Sequence, residues 1–362
     1  MHKHRIRRVM RTLGERNMSQ ALVTDPLSIF YLTGYLTFPH ERLLALLLER
    51  DERGIHTTLF VNALFPDAEG HADSICILTD TDDAIGALAS AVDARRTLGV
   101  DANLPARWLV PIISGETAIK VELCSFAVDD ARSLKDEAER SLMRKASRIN
   151  DEAMGWLGEA LRVGVCERDV AQGLLQAYRA LGADGFSFDP IISFGATAAD
   201  PHHEPDATPL TAGDMVLFDV GCTFEHYCSD MTRTFFTARP TKRQLEVFDA
   251  VRRANEAAEA IVAPGVSFAD IDRAARATIE QAGFGPYFTH RTGHQIGLAV
   301  HEPGDVSSAN RAAVRPGNVF SIEPGIYLPG EIGVRIEDLV LVTEDGCEIL
   351  NAYPKEPRVL SL

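Results

Sequence analysis

Leu210–Gly221 reads LTAGDMVLFDVG and Val314–Gly325 reads VRPGNVFSIEPG, and the two stretches can be laid over one another at a single constant offset. Gly213 falls on Gly317, Asp214 on Asn318, Asp219 on Glu323 and Gly221 on Gly325, with a β-type apolar run between the turn and the acid. Chance gives two or three such matches. Glycine, turn residue, strand, acid and glycine in one register instead imply two related half-domains, each presenting a carboxylate near the end of a strand.

After each repeated acid the chain turns and returns with another: Asp230 follows Asp219, and Glu337 follows Glu323, at spacings that one hairpin spans. If the hairpins face each other across a pseudo-two-fold axis, four carboxylates converge, and their mutual repulsion prevents all four from ionising in an empty site. Two divalent cations balance that charge. His294, in the segment HRTGHQIGLAVH (His290–His301), supplies a nitrogen ligand, and Gly293 and Gly297 let backbone pack closely around the imidazoles. Taken singly, an acid after a strand is usually a turn cap and an apolar-flanked histidine is usually a core residue. Their conjunction in one segment points to a metal centre.

Outward from the repeat, helices are expected over Lys242–Val262 and Phe268–Ala282, and over Glu167–Leu181 with a stop at Gly182. Ser133 is positioned to cap a further helix whose apolar residues Leu142, Ala146, Ile149, Ala153 and Leu157 recur at three and four. A boundary near this point divides the chain into residues 1–132 and 133–362. In the first part, Ala21–Val23, Leu43–Leu48, Thr57–Val61, Ile75–Leu78 and Val121–Val128 read as strands, and Met1–Met18 and Asp82–Asp93 as helices, giving a small α/β domain.

The 362 residues exceed the usual size of one compact domain, and 46% hydrophobic with 24% charged residues is ordinary for a globular protein. A net charge of −16 argues against general binding to nucleic acid or anionic membranes. The basic cluster Lys3, Arg5, Arg7, Arg8 and Arg11 precedes no apolar run of the signal-peptide kind and reads as a solvated helix face. The six cysteines lack CxxC spacing and are expected to be reduced thiols, and the cytoplasm is the expected location.

The segment DVGCTFEHYCSDMTRT (Asp219–Thr234), together with HRTGH, VHE, SIEPGIY and GVRIEDLVLVT, resembles the pita-bread metallopeptidases, among them prolidase and aminopeptidase P. DPLSIFYLTG (Asp25–Gly34) resembles the creatinase-type N-terminal domain that precedes them, so the likeness covers nearly the whole chain. It implies an α+β protein: a creatinase-like α/β domain followed by a pita-bread catalytic domain with an internal pseudo-two-fold repeat. By that resemblance Asp219 chelates one metal, His294 and Glu323 the other, and Asp230 and Glu337 bridge them. The outer histidines match His202, with His203 as the alternative, and His301; both would stabilise the tetrahedral oxyanion. Glu323 would shuttle a proton to the leaving nitrogen, and Arg335 would support the bridging carboxylates. Four oxygen ligands to one nitrogen lean to Mn²⁺, with Co²⁺ or Zn²⁺ as alternatives. The implied substrate is a short Xaa-Pro peptide, and relatives are commonly homodimers.

Gln295 replaces a usual glycine and is expected to narrow the pocket, Phe224 stands where a tyrosine is common, and Pro303-Gly304-Asp305 replaces a run that in some prolidases holds a carboxylate-gripping arginine. The leading expectation is an Xaa-Pro dipeptidase, with aminopeptidase P on longer peptides as the near alternative. A metal-free creatinase-like enzyme would have lost ligands, a non-catalytic binding homologue would not need them, and a methionine aminopeptidase usually lacks such an N-terminal domain.

Overall fold

The computed structural model describes residues 1–362 and divides into two compact units, Met1–Arg132 and Ser133–Leu362. The first unit is built on a six-stranded mixed sheet in the order Ser74–Leu78, Gly54–Asn62, Ala45–Asp51, Gln20–Val23, Thr97–Val100, Lys120–Leu123. Gln20–Val23 lies inside the sheet, antiparallel to Ala45–Asp51 and parallel to Thr97–Val100, and all four of its residues are buried. Helix Lys3–Gly14 buries Ile6, Val9, Met10 and Leu13, the three-and-four spacing of one face. Asp25 caps Pro26–Thr33 by accepting from the Ser28 amide, and Gly34 ends that helix in the left-handed region at φ 76°.

Two sequence expectations are corrected here. Val121–Val128 is not one strand: Lys120–Leu123 pairs with Thr97–Val100, and Ser125–Ser133 is a helix. From Cys124 onward the buried residues Cys124, Ala127, Val128 and Ala131 have helical spacing. Nor does Ser133 cap the next helix. Glu137–Ala160 starts from Asp136, whose side chain accepts from the Glu139 amide while the Glu139 carboxylate accepts from the Asp136 amide, so two otherwise orphan donors are satisfied reciprocally.

The second unit is a duplicated layout. Helices Glu137–Ala160 and Glu167–Ala180 accompany a three-stranded sheet of Ile191–Phe194, Met215–Val220 and Met231–Phe236. Helices Lys242–Glu259 and Phe268–Gln281 accompany a five-stranded sheet in the order Glu302–Val306, Gly293–Gln295, Val319–Ile322, Asp338–Val342, Cys347–Ile349. The repeat seen in sequence is repeated in backbone: Gly213 and Gly317, at φ 103° and 95°, turn the chain into strands Met215–Val220 and Val319–Ile322. Each half also anchors its acid-bearing strand from its first helix. Asn150 Nδ2 donates to the Val220 carbonyl at 2.8 Å, and Asn255 Nδ2 donates to the Ile322 carbonyl at 2.8 Å.

Arg233 joins the halves from inside. Its buried guanidinium donates to the Glu337 carbonyl at 2.6 Å, Asp338 Oδ1 at 2.6 Å and the Tyr353 carbonyl at 2.7 Å. The Glu337 amide donates to the Thr232 carbonyl at 3.1 Å, so the two return strands run side by side. The tail closes this region: the Phe236 amide donates to the Arg358 carbonyl, the Leu360 amide donates to the Phe236 carbonyl, and Leu360 is buried in the core of the first helix pair.

Candidate active site

Each half delivers its carboxylates at strand ends. Asp219 lies in Met215–Val220, opposite Thr232 of the return strand, and Asp230 immediately precedes that strand. Glu323 immediately follows Val319–Ile322, and Glu337 lies between Ile332–Arg335 and Asp338–Val342. Oxygens of Asp230 and Glu337 and a ring nitrogen of His294 lie within 4.8 Å of one another. Glu323 Oε1 is 3.4 Å from His294 Nε2, and Asp230 Oδ2 is 3.7 Å from it. Asp219 is held beside them by Arg335 Nη2 at 2.5 Å. These six residues, with His202 and His301, line one cavity of about 680 Å³.

The donor set fits divalent cations. Asp219 Oδ1, Asp230 Oδ1 and Glu337 Oε1 are buried and have no hydrogen-bond partner, a costly arrangement for carboxylate oxygens unless a cation takes up their lone pairs. Burial and the neighbouring Glu337 push Asp230 well above the carboxylate range; burial and Glu323 do the same to Glu337. Burial lowers His294 to about 3, so its imidazole is neutral at pH 7. Its Nδ1–H donates to the Gln295 carbonyl at 3.2 Å, which leaves the Nε2 lone pair facing the carboxylates.

A second layer of polar groups holds the acids. Thr232 Oγ1 donates to Glu337 Oε2 at 2.7 Å, and Ser321 Oγ donates to Glu323 Oε1 at 3.1 Å. Arg335 donates to Thr232 Oγ1, to the Tyr327 hydroxyl at 2.6 Å and to Asp219. Because Tyr327 accepts from Arg335, its own proton goes to His290 Nε2 at 2.9 Å, and His290 Nδ1–H donates to the Arg291 carbonyl at 2.7 Å. Burial, then the Arg335 charge, lowers His290 to about 4, and burial raises Tyr327 to about 12, so both stay neutral as this relay requires. His301 packs edge-on against His294 with ring centroids 4.2 Å apart; it is half-buried, and burial followed by the Arg291 charge lowers its pKa.

His202 and His203 differ sharply. His203 Nε2 is 2.6 Å from the buried carboxylate of Glu167, whereas the His202 ring is free on the cavity wall. Sequence reasoning misses the roles of His290, Tyr327, Thr232 and Ser321, although all four lie in or beside the motifs HRTGH, SIEPGIY and DMTRT. Only their neighbours across strands reveal what they do. Two expected departures are relocated. Gln295 does not narrow the cavity: its side chain lies against Gly304, where a Cβ would meet Gln295 Nε2. Phe224 packs against the core of the first helix pair and is absent from the cavity wall.

A duplicated sheet that buries an acid-rich, histidine-bearing cluster in an open cavity has the chemistry of a metal-dependent hydrolase. Residues 141–344 match metallopeptidase family M24 and residues 5–110 match the creatinase/prolidase N-terminal domain, and the chain belongs to that metallopeptidase family. It is 36% identical over 351 residues to an uncharacterized peptidase of Staphylococcus aureus, covering 97% of this chain and 99% of that one. The dipeptidase PepE of Mycobacterium ulcerans superimposes with a TM-score of 0.93 at 32% identity, over 99% of this chain and 98% of that one. A prolidase from Thermococcus sibiricus also gives 0.93, at 30% identity over 99% of both chains. The chain is therefore a metallopeptidase with a creatinase-type N-terminal domain and a pita-bread catalytic domain, a family that uses divalent metal ions. No helix is long and apolar enough to cross a membrane.

Proposed function

We propose that this chain hydrolyses the Xaa-Pro bond at the N-terminus of short peptides, using two divalent cations held by Asp219, Asp230, His294, Glu323 and Glu337. The observation that carries the reading is the set of buried, unpartnered carboxylate oxygens of Asp219, Asp230 and Glu337 around the neutral Nε2 of His294. When bound, the cations would supply Lewis acidity and a water acidic enough to attack near neutral pH. Mn²⁺ suits four oxygen donors and one nitrogen, with Co²⁺ and Zn²⁺ as alternatives.

The protein's own groups do the rest. Glu323, which burial pushes up to about 7, takes the proton of the attacking water and returns it to the leaving nitrogen. His202 and His301 donate to the developing oxyanion from the cavity wall. Arg335, fixed by three hydrogen bonds, holds Asp219 in place. The bond before proline is a tertiary amide with no N–H to grip, so recognition rests on shape. Phe188, Ile191 and Val300 provide an apolar wall in the same cavity.

Chain-length preference follows from charge. A dipeptide ends in a free carboxylate, but both arginines lining the cavity are already paired, Arg335 with Asp219 and Arg291 with Asp305 at 2.5 Å. The dipeptide preference is therefore modest, and Xaa-Pro-Xaa tripeptides, the aminopeptidase P type of substrate, are cut as well. Hydrolysis of Leu-Pro, Leu-Ala and Leu-Pro-Ala with added Mn²⁺ tests the reading: Leu-Pro should far exceed Leu-Ala. Equal rates on the two would remove the proline specificity and leave the metallopeptidase assignment standing. A homodimer in the cytoplasm acting on such peptides, without nucleic-acid or membrane partners, completes the proposal; sedimentation of the purified enzyme tests the dimer.

A further inference from the structure

The segment that follows strand Ile191–Phe194, as far as Asp206, carries His202 to the cavity, and its only regular structure is the 3₁₀ turn Gly195–Ala199. One buried side chain ties it down along its length. Glu167, the first residue of helix Glu167–Ala180, is fully buried. Its Oε1 accepts from the Phe194 amide at 2.8 Å and from Thr197 Oγ1 at 2.7 Å. Its Oε2 accepts from His203 Nε2 at 2.6 Å and from the Asp206 amide at 3.2 Å. Glu167, His203 and Asp206 are spaced closely enough to suggest metal ligands, with ligand atoms within 4.8 Å. Both Glu167 oxygens are nevertheless filled by protein donors, so the cluster is a clamp on the segment and not a second cation site.

We propose that Glu167, acting through His203, is the positioning residue that aims His202 at the reacting carbonyl. No hydrogen bond fixes the His202 imidazole itself; only its backbone amide is held, by Asp200 Oδ1 at 3.0 Å. The direction of that ring is inherited from the next residue, which is locked to an immobile carboxylate in the interior. This inference rests on the role given above to His202. A displacement of about 1 Å at a catalytic group can cost about 10²-fold in rate, so loosening the clamp acts on turnover and leaves substrate affinity nearly unchanged.

The test is a double-mutant cycle on the full-length, Mn²⁺-loaded enzyme with its best peptide substrate, with metal content and thermal midpoint measured alongside. His203→Ala is expected to lower kcat by about 10- to 10²-fold with KM within about twofold and both metals retained. His203→Gln, whose amide N–H can still donate to Glu167, should recover most of that loss. Glu167→Gln should behave like His203→Ala; if it fails to fold, the His203 variants decide. In the His202→Ala background, His203→Ala should cost less than about twofold, because its effect passes through the missing imidazole. Full additivity of the two losses, or an unchanged kcat in His203→Ala, overturns the proposal. A His203 that acted directly on substrate would give additivity and no rescue by Gln. If His202→Ala alone left turnover intact while Asp230→Ala abolished it, the oxyanion role and this inference would both fall, and the metallopeptidase reading would remain.

Discussion

The two halves of the catalytic unit share a turn, a strand, an acid and a helix-borne asparagine, but they have not remained equivalent. The first half contributes Asp219 and Asp230, and Asp219 takes its supporting cation, Arg335, from the other half. The second half contributes Glu323, Glu337 and the imidazole of His294, and supports Glu323 from within through Ser321. Glu337 is in turn held by Thr232 of the first half. Duplication therefore explains why four acids meet, whereas the cross-half contacts explain why neither half is a site alone. Burial pushes Glu323 of the second half up to about 7, which suits the proton-carrying role proposed for it.

That comparison is broken most directly at the return acids. Asp230→Ala and Glu337→Ala should each lower turnover by more than about 10³-fold, exceeding the loss of one oxyanion donor, and should release both metals. Elemental analysis that found two equivalents of metal still on Asp230→Ala would show that the halves do not share their cations. Next in size is the arginine that crosses between halves. Arg335→Ala strands Asp219 in the interior and should cost about 3–5 kcal/mol of stability, read from denaturant midpoints. Arg335→Lys should recover little, since one ammonium cannot reproduce three fixed donors. An Arg335→Ala protein as stable as wild type would mean that the first half balances its own charge.

The outer histidines sharpen the same comparison. His202 belongs to the first half and His301 to the second, and either change to Ala should lower kcat by about 10²- to 10³-fold with metal retained, while His294→Ala loses metal. If His301→Ala lost metal and His294→Ala kept it, the ligand register in the second half would be wrong.

The smallest expected effect is on stability against pH. Glu323 has a folded pKa of about 7 against an ordinary 4.5, so the folded chain binds more protons than the unfolded chain between those values. Its contribution to stability is favourable at low pH and is lost as pH rises through 7. Asp230 and Glu337 act in the same direction, because their pKa values are also raised. Chelator-treated protein should melt well below the Mn²⁺-loaded protein at pH 8, and the gap should narrow toward pH 5.5 as protons compete with metal. A gap that widened on acidification would contradict the assignment of these three acids to the metal centre.

The sequence makes some of this site readable and not the rest, for physical reasons. Asp219, Glu323 and their returns are legible because a strand, a turn and an acid repeat locally, within the reach of one hairpin. The Arg335–Tyr327–His290 relay is not, because its ends come from afar: His290 reaches Tyr327 from an earlier segment, and Arg335 reaches across to Asp219 in the other half. Glu167 is hidden more deeply, since an acid in the first turn of a helix reads as a favourable dipole partner rather than as the anchor of a distant loop. The misassigned cap teaches a related lesson. Ser133 and Asp136 are both good caps in isolation, and only the reciprocal bond from Glu139 selects the second. In the N-terminal unit, Val121–Val128 satisfies a strand pattern and a helix pattern at once, and pairing to Thr97–Val100 ends the strand after Leu123.

The closing of the tail over Phe236 bears on how the chain emerges during synthesis. All six strands of the N-terminal sheet lie within Met1–Arg132, so that unit can form while the ribosome is still translating the catalytic unit. The core of the first catalytic helix pair is different: it includes Leu360, which lies far downstream of helices Glu137–Ala160 and Glu167–Ala180. That core is therefore complete only once the second half of the catalytic unit has been translated. Leu360→Ala should consequently lower the stability of the catalytic unit by about 2–5 kcal/mol, read from denaturant midpoints.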